Sequence, residues 1–224
     1  MTEPTVICPN CKTEIKLTES LAAPLIETIC PPLLYRQGSR IVLAGYGNAA
    51  GGVRATAQID RSADGGRTWA NGPDSCGGKD GYASTLALAP PSALVLLCKH
   101  QMARPDGTFG PAWVRISTDG GATFGAAEHL PLLPVTARGT ITDYQLAAAS
   151  PARLLAVQTG TSGSRLLRSG NGGRSWITSL RFPGGSNVLL VGFEDPRTAR
   201  VAQGDTVWTT RDAGQTWRAD HFTG

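Results

Sequence analysis

Apolar and polar residues alternate along most of this chain in short runs. Residues 56–61 and 112–116 change face at nearly every position, the period-two pattern of a strand with one buried side. Similar short segments occur at 40–44, 144–148, 153–157, 165–168, 187–193, 198–202 and 206–209. None of the apolar stretches reaches the ~18 residues of a membrane-spanning helix. The pattern predicts many short strands joined by tight turns.

One phrase punctuates these strands four times. The copies are Ser62, Asp64, Gly66, Thr68, Trp69; Ser117, Asp119, Gly121, Thr123, Phe124; Ser169, Asn171, Gly173, Ser175, Trp176; and Thr210, Asp212, Gly214, Thr216, Trp217. Each has the same internal spacing, and the first residues stand 55, 52 and 41 positions apart. A carboxylate or amide can accept backbone N–H groups a few residues on and close a turn. Glycine supplies the positive φ such a turn requires, and the terminal aromatic buries a large apolar area. Each copy is therefore expected to link two antiparallel strands. A period of 40 to 55 residues holds about four strands, the content of one propeller blade. The chain is expected to be all-β, with about four antiparallel four-stranded blades. They would form either a small β-propeller or part of a six- or seven-bladed one.

Composition agrees with that picture and narrows it. The 28 glycines and 15 prolines, with only 17% charged residues, disfavour a helical bundle. A hydrophobic content of 41% with a net charge of +4 disfavours disorder. Seventeen of the 21 basic residues are arginines, scattered from Arg36 to Arg218 without a block. No nucleic-acid partner is expected from such dispersed charge.

The repeated phrase resembles the Asp-box, or BNR repeat, of the sialidase-like β-propeller superfamily. Its pattern there is Ser/Thr-x-Asp-x-Gly-x-Thr-Trp/Phe, from which the third copy departs at Asn171 and Ser175. The chain looks most like uncharacterised bacterial BNR, glycosyl-hydrolase-like proteins. The resemblance implies that the boxes are structural and lie away from the ligand site. It also implies an exported or cell-envelope protein, although the N-terminus as written lacks a secretory signal and defaults to the cytoplasm. Exo-sialidases of this superfamily use a Tyr–Glu pair and three arginines that clamp a carboxylate. Where the first arginine should stand, this chain has Ile29. Outside residues 1–29 only Glu128 and Glu194 remain as glutamates. Tyr144 and Glu194, with Arg138 or Arg197, are the weak catalytic candidates. The alternative is that all four are ordinary polar residues at strand ends.

The favoured expectation is thus a non-catalytic binding or scaffold module for a protein or glycan ligand. The alternative is a glycoside hydrolase of the exo-sialidase type, or a degenerate relative of one. Exposed blade edges would offer a route to self-association.

Five cysteines complete the picture. Cys76 and Cys98 flank strands of the second blade, and the exported character of similar propellers suggests a disulfide between them, against two free buried thiols. Cys8 and Cys11, spaced as Cys-x-x-Cys, could be half of a zinc site. No other cofactor is expected. Residues 12–29 carry Leu17, Leu21, Leu25 and Ile29 at helical spacing. Residues 1–29 are expected to be foreign to the propeller, which would occupy residues 30–224.

Overall fold

The computed structural model describes residues 5–7, 14–16, 33–37, 39–46, 57–76, 81–100, 111–131, 141–160, 163–182 and 189–222. Strands and turns account for the ordered elements among them, and none is a helix long and apolar enough to cross a membrane. The chain divides into two compact units, residues 1–83 and 84–224.

The first unit opens with a hairpin of β1 (Thr5–Ile7) and β2 (Glu14–Lys16). Residues 14–16, within the 12–29 segment read as helical, are a strand instead, paired to β1; the rest of that segment, and the Cys8–Cys11 pair, lie outside the described residues. A four-stranded antiparallel meander comes next: β3 (Leu33–Gln37), β4 (Arg40–Tyr46), β5 (Ala57–Ser62) and β6 (Ala70–Asp74). The segment at 40–44 is the first that the alternation pattern predicts, but it is not the first strand of this sheet. Leu33–Gln37 precedes it and pairs with it, Leu34 opposite Leu43 and Arg36 opposite Ile41. Residues 33–37 lack period-two alternation, so the pattern does not reveal this strand. A connection of two residues, 38 and 39, suffices to fold it back as a hairpin.

Three more meanders follow. They are β7 (Gly81–Ala89), β8 (Ala93–His100), β9 (Trp113–Ser117) and β10 (Glu128–His129); β11 (Ile141–Ala148), β12 (Leu154–Gly160), β13 (Gly163–Ser169) and β14 (Ile177–Phe182); and β15 (Leu190–Phe193), β16 (Ala199–Gln203), β17 (Thr206–Thr210) and β18 (Arg218–His221). In every sheet, strands adjacent in sequence are adjacent in space. The fold is all-β, with four antiparallel four-stranded sheets of the propeller-blade type.

The core of the second unit lies between successive sheets. Tyr144, Leu146 and Ala148 of β11 share a cluster with Val95, Leu97 and Val114 of the preceding sheet. Ala147, one residue out of phase, joins Ala199 and Val201 of the following sheet. Both faces of the middle sheet are thus covered, and all seven residues of β12 are buried. That is why the first four residues of β12, Leu154 to Val157, read as a continuous apolar run rather than an alternating one. β18, by contrast, is exposed at all four residues. Arg218, Asp220 and His221 put charge or imidazole on that strand, the kind of edge that resists pairing with another chain.

Candidate functional site

Each box sits between the third and fourth strand of its sheet and is built the same way. In the second box the buried Ser117 hydroxyl accepts the Gly121 amide at 2.7 Å and donates to Asp119 Oδ1 at 2.7 Å. Asp119 Oδ1 also accepts the Thr123 amide at 3.0 Å, and Oδ2 accepts the Thr123 hydroxyl at 2.6 Å. The first and fourth boxes repeat this through Ser62, Asp64 and Thr68, and through Thr210, Asp212 and Thr216. Hydrogen bonds to the charged form, first from the threonine hydroxyl, hold Asp64, Asp119 and Asp212 well below the usual carboxylate range. In the third box Asn171 keeps the shape but reverses one bond, its amide nitrogen donating to the Ser175 hydroxyl at 2.9 Å.

Two glycines show what the boxes do. Gly173 has φ +92°, and a Cβ there would come within 2.6 Å of Val114 in the preceding sheet. Gly214 has φ +86°, and its Cβ would meet Leu155 of the preceding sheet at 3.0 Å. The Trp217 indole donates to the Ser179 hydroxyl of that sheet at 2.7 Å, and Ser179 donates to the Gly214 carbonyl. These two boxes are clamps between successive blades.

The opposite end of the middle sheet is different. Tyr144, Gln158, Arg165 and Arg181 stand in one row across β11, β12, β13 and β14. Paired residues share a face, so Tyr144, Gln158 and Arg165 all lie on the side of the preceding sheet. Arg165 is only 6% exposed. Its Nε donates to Gln158 Oε1 at 2.7 Å and its Nη2 to the Pro131 carbonyl at 2.7 Å, while Gln158 Nε2 donates to the same carbonyl at 3.1 Å. Burial, reinforced by the neighbouring Arg181, pushes the guanidinium below its usual value. Lys99 Nζ stands 5.9 Å from the centre of the Tyr144 ring, within reach of a cation–π contact. The row anchors Pro131, where the connection from β10 to β11 begins. Asp143, exposed near the start of β11, takes a hydrogen bond from Gln145 at 3.2 Å.

Among the described residues, those singled out for catalysis are not brought together. Tyr144 is near the start of β11 and only 2% exposed. Glu194 follows β15, in a turn whose Glu194 N–H to Thr198 carbonyl bond matches that of Ala149 to Arg153 in the previous sheet. Both turns lie at the box end, since the Gly172 amide bonds Ala152 and the Ala213 amide bonds Arg197. Glu194 is thus equivalent to Ala149, five positions beyond Tyr144, or about 17 Å along a strand. It pairs instead with Arg200. The strand before it, β15, runs towards the boxes and carries the acid away from Tyr144. Arg197 is exposed in the same turn, its amide bonded to Asp195, and Arg138 lies outside the described residues. Arg165, Gln158 and Lys99 were not signalled by any motif; strand register aligns Gln158 and Arg165 with Tyr144, and the approach of the preceding sheet brings Lys99 to the Tyr144 ring.

Cys76 and Cys98 are both buried and disulfide-bonded. Among the described residues no three His, Cys, Asp or Glu side chains are grouped to hold a metal ion.

No protein-family model and no curated protein matches the chain. Solved structures do resemble it. A Dyadobacter fermentans protein of unknown function aligns with a TM-score of 0.57 at 14% identity, over 86% of this chain and 64% of that one. The Penicillium chrysogenum α-L-arabinanase, complexed with arabinobiose, aligns at 0.54 and 16%, over 84% and 63%. The GH74 xyloglucanase of Xanthomonas campestris aligns at 0.52 and 19%, over 81% and 28%. The chain spans less than two thirds of the length of each. At these identities the likeness is one of fold: the chain shares the blade architecture of propeller proteins that include glycoside hydrolases.

Proposed function

We propose that this chain is a non-catalytic, Asp-box propeller-type module that binds a carbohydrate at the end of its sheets away from the boxes. The observation that carries the reading is the separation of Tyr144 from Glu194. The only Tyr–Glu pair suggested by the sequence lies at opposite ends of neighbouring sheets, and its acid is engaged by Arg200. Hydrolysis of a glycosidic bond ordinarily requires two carboxyl groups, or a substitute pair, within ~10 Å. Carbohydrate as the ligand class is supported by the arabinanase and xyloglucanase among the similar folds, and by the sialidase-like resemblance of the boxes.

Lys99, beside Tyr144, and Asp143, on the opposite face of β11, are polar side chains at that end through which a sugar would be held, while Arg165 and Gln158 position the backbone beneath. The test pairs binding with turnover. A panel of arabino-, xyloglucan and sialylated oligosaccharides is expected to yield at least one ligand, bound at least tenfold more weakly by Lys99→Ala or Asp143→Ala. Fluorogenic sialosides and arabinosides are expected to survive incubation. Turnover that is abolished by Glu194→Gln would replace this reading with a sialidase-type hydrolase.

A further inference from the structure

The middle sheet, β11–β14, meets a neighbour on each face, and the two seams differ at the end away from the boxes. Arg165 and Thr206 are equivalent, each four residues before its box hydroxyl, Ser169 or Thr210. Gln158 and Gln203 are equivalent too, each four residues beyond the partner of that hydroxyl, Leu154 or Ala199. In the seam with β7–β10, Arg165 is buried and its guanidinium reaches the Pro131 carbonyl. In the seam with β15–β18, Thr206 is just as buried, but its hydroxyl bonds within its own sheet. It donates to Asp205 Oδ1 at 3.0 Å. With that proton committed, the 2.9 Å bond to His221 is donated by Nδ1–H, which leaves Nε2 of the neutral ring as an acceptor.

The facing side of the middle sheet carries an unanswered group. Asp143, Thr159, Ser164 and Phe182 form one row across β11 to β14. Phe182 shares a cluster with Ala199 and Val201, so the row faces the last sheet. Ser164 is 6% exposed, and its hydroxyl has no hydrogen-bond partner among the described residues. A buried hydroxyl left so is costly. Phe182 meets Trp208 edge to face with ring centres 4.9 Å apart, joining the two sides of the seam. Trp208 is half-buried and shares its face with Gln203, Thr206 and the exposed His221.

We infer that this seam, between Ser164 and Phe182 on one side and Trp208 and His221 on the other, binds a neutral sugar residue. The inference rests on the carbohydrate reading and narrows it, placing the sugar on the Asp143 face of β11 rather than beside Lys99. An aromatic ring with a few convergent polar groups is what a sugar needs, because its C–H face is apolar and its rim is hydroxyls. The Trp208 indole takes the C–H face. The Gln203 amide and His221 Nε2 bond the rim, and a sugar hydroxyl gives Ser164 the partner it lacks. The sugar is neutral because this seam has Thr206 where the other has the fixed cation Arg165, and it sets the Asp205 carboxylate beside that threonine. A sialic acid or uronate would meet a like charge there.

Calorimetric titration of the full-length chain with neutral arabino- and xyloglucan oligosaccharides is expected to detect binding, with sialyllactose at least tenfold weaker. Ser164→Ala and Trp208→Leu are each expected to weaken the neutral ligands about tenfold. Leucine suits the second site because Leu167 stands at the equivalent place in the middle sheet, two residues before the box hydroxyl. Ser164→Ala removes a hydroxyl that has no partner in the protein, so its Tm is expected to stay level or rise. Lost affinity at an undiminished Tm cannot come from misfolding. A lowered Tm in Ser164→Ala, unchanged affinity in both variants, or a preference for sialyllactose would overturn the inference. Binding lost in Lys99→Ala but kept in Ser164→Ala and Trp208→Leu would overturn it while leaving the carbohydrate reading in place. A wild-type chain that binds no member of the panel would end both.

Discussion

A single hydroxyl does two jobs in each box. Ser117 satisfies the buried Gly121 amide and orients the aspartate that closes the rest of the turn. Ser117→Ala leaves that amide without a partner, and such a loss costs about 1–3 kcal/mol; chemical denaturation is expected to show the deficit. The box tryptophans allow a sharper test. Trp217 donates to Ser179, whereas the Trp176 indole nitrogen is buried without a hydrogen-bond partner. The position matching Ser179 in the preceding sheet is Ala127, since Leu180 pairs with Leu166 as Glu128 pairs with Val114. Ala127→Ser should therefore give Trp176 its missing acceptor and stabilise the protein by about 0.5–1.5 kcal/mol, read as a rise in Tm. These bonds are legible in the sequence because they are local: donor and acceptor lie within four residues inside each box. The Ser179 partnership is not, because it joins residues 38 positions apart.

At the scale of elements, the boxes gain importance from what they touch. Gly173 and Gly214 combine a left-handed backbone with close approach to the preceding sheet. Gly173→Ala both strains φ and forces its methyl against Val114, a combination that costs about 1–3 kcal/mol or more. The same change at Gly65, which has a positive φ but nothing within 4 Å, is expected to cost less. Comparing the two thermal melts separates backbone strain from inter-sheet packing, and equal losses would argue against the clamp. Strand existence was largely readable from alternation, but register was not. β3 escaped notice because Leu33 to Gln37 does not alternate, and the Tyr144–Gln158–Arg165 row emerges only when three strands are aligned. The same limit hid the direction in which β15 carries Glu194.

For the whole molecule, the boxes set an acid limit. Asp64, Asp119 and Asp212 have their folded values held below the ordinary aspartate value near 3.8. Unfolding returns them to that value, so the folded state binds fewer protons. Their contribution to stability is therefore present above the usual carboxylate range and is lost as pH falls through and below it. Acid titration is expected to show stability declining below about pH 4. Asn171 does not titrate, and the third box is exempt from this loss. Replacing Asp119 by Asn should flatten the acid dependence, while Asn171→Asp should steepen it. Stability curves across pH 2–7 check both signs.

Four boxes in constant register determined by themselves that this chain is a turn-rich β protein of repeated four-stranded units. The determinants of each turn are a few adjacent residues, so local chemistry suffices to specify it. The blade spacing follows from how many strands fit between turns. Tertiary structure alone decided which side chains share an end of a sheet. That depends on strand direction and pairing, which one-dimensional spacing does not encode. Thus Tyr144 became a buried neighbour of Arg165 rather than a partner of Glu194, and two of the boxes became clamps between blades.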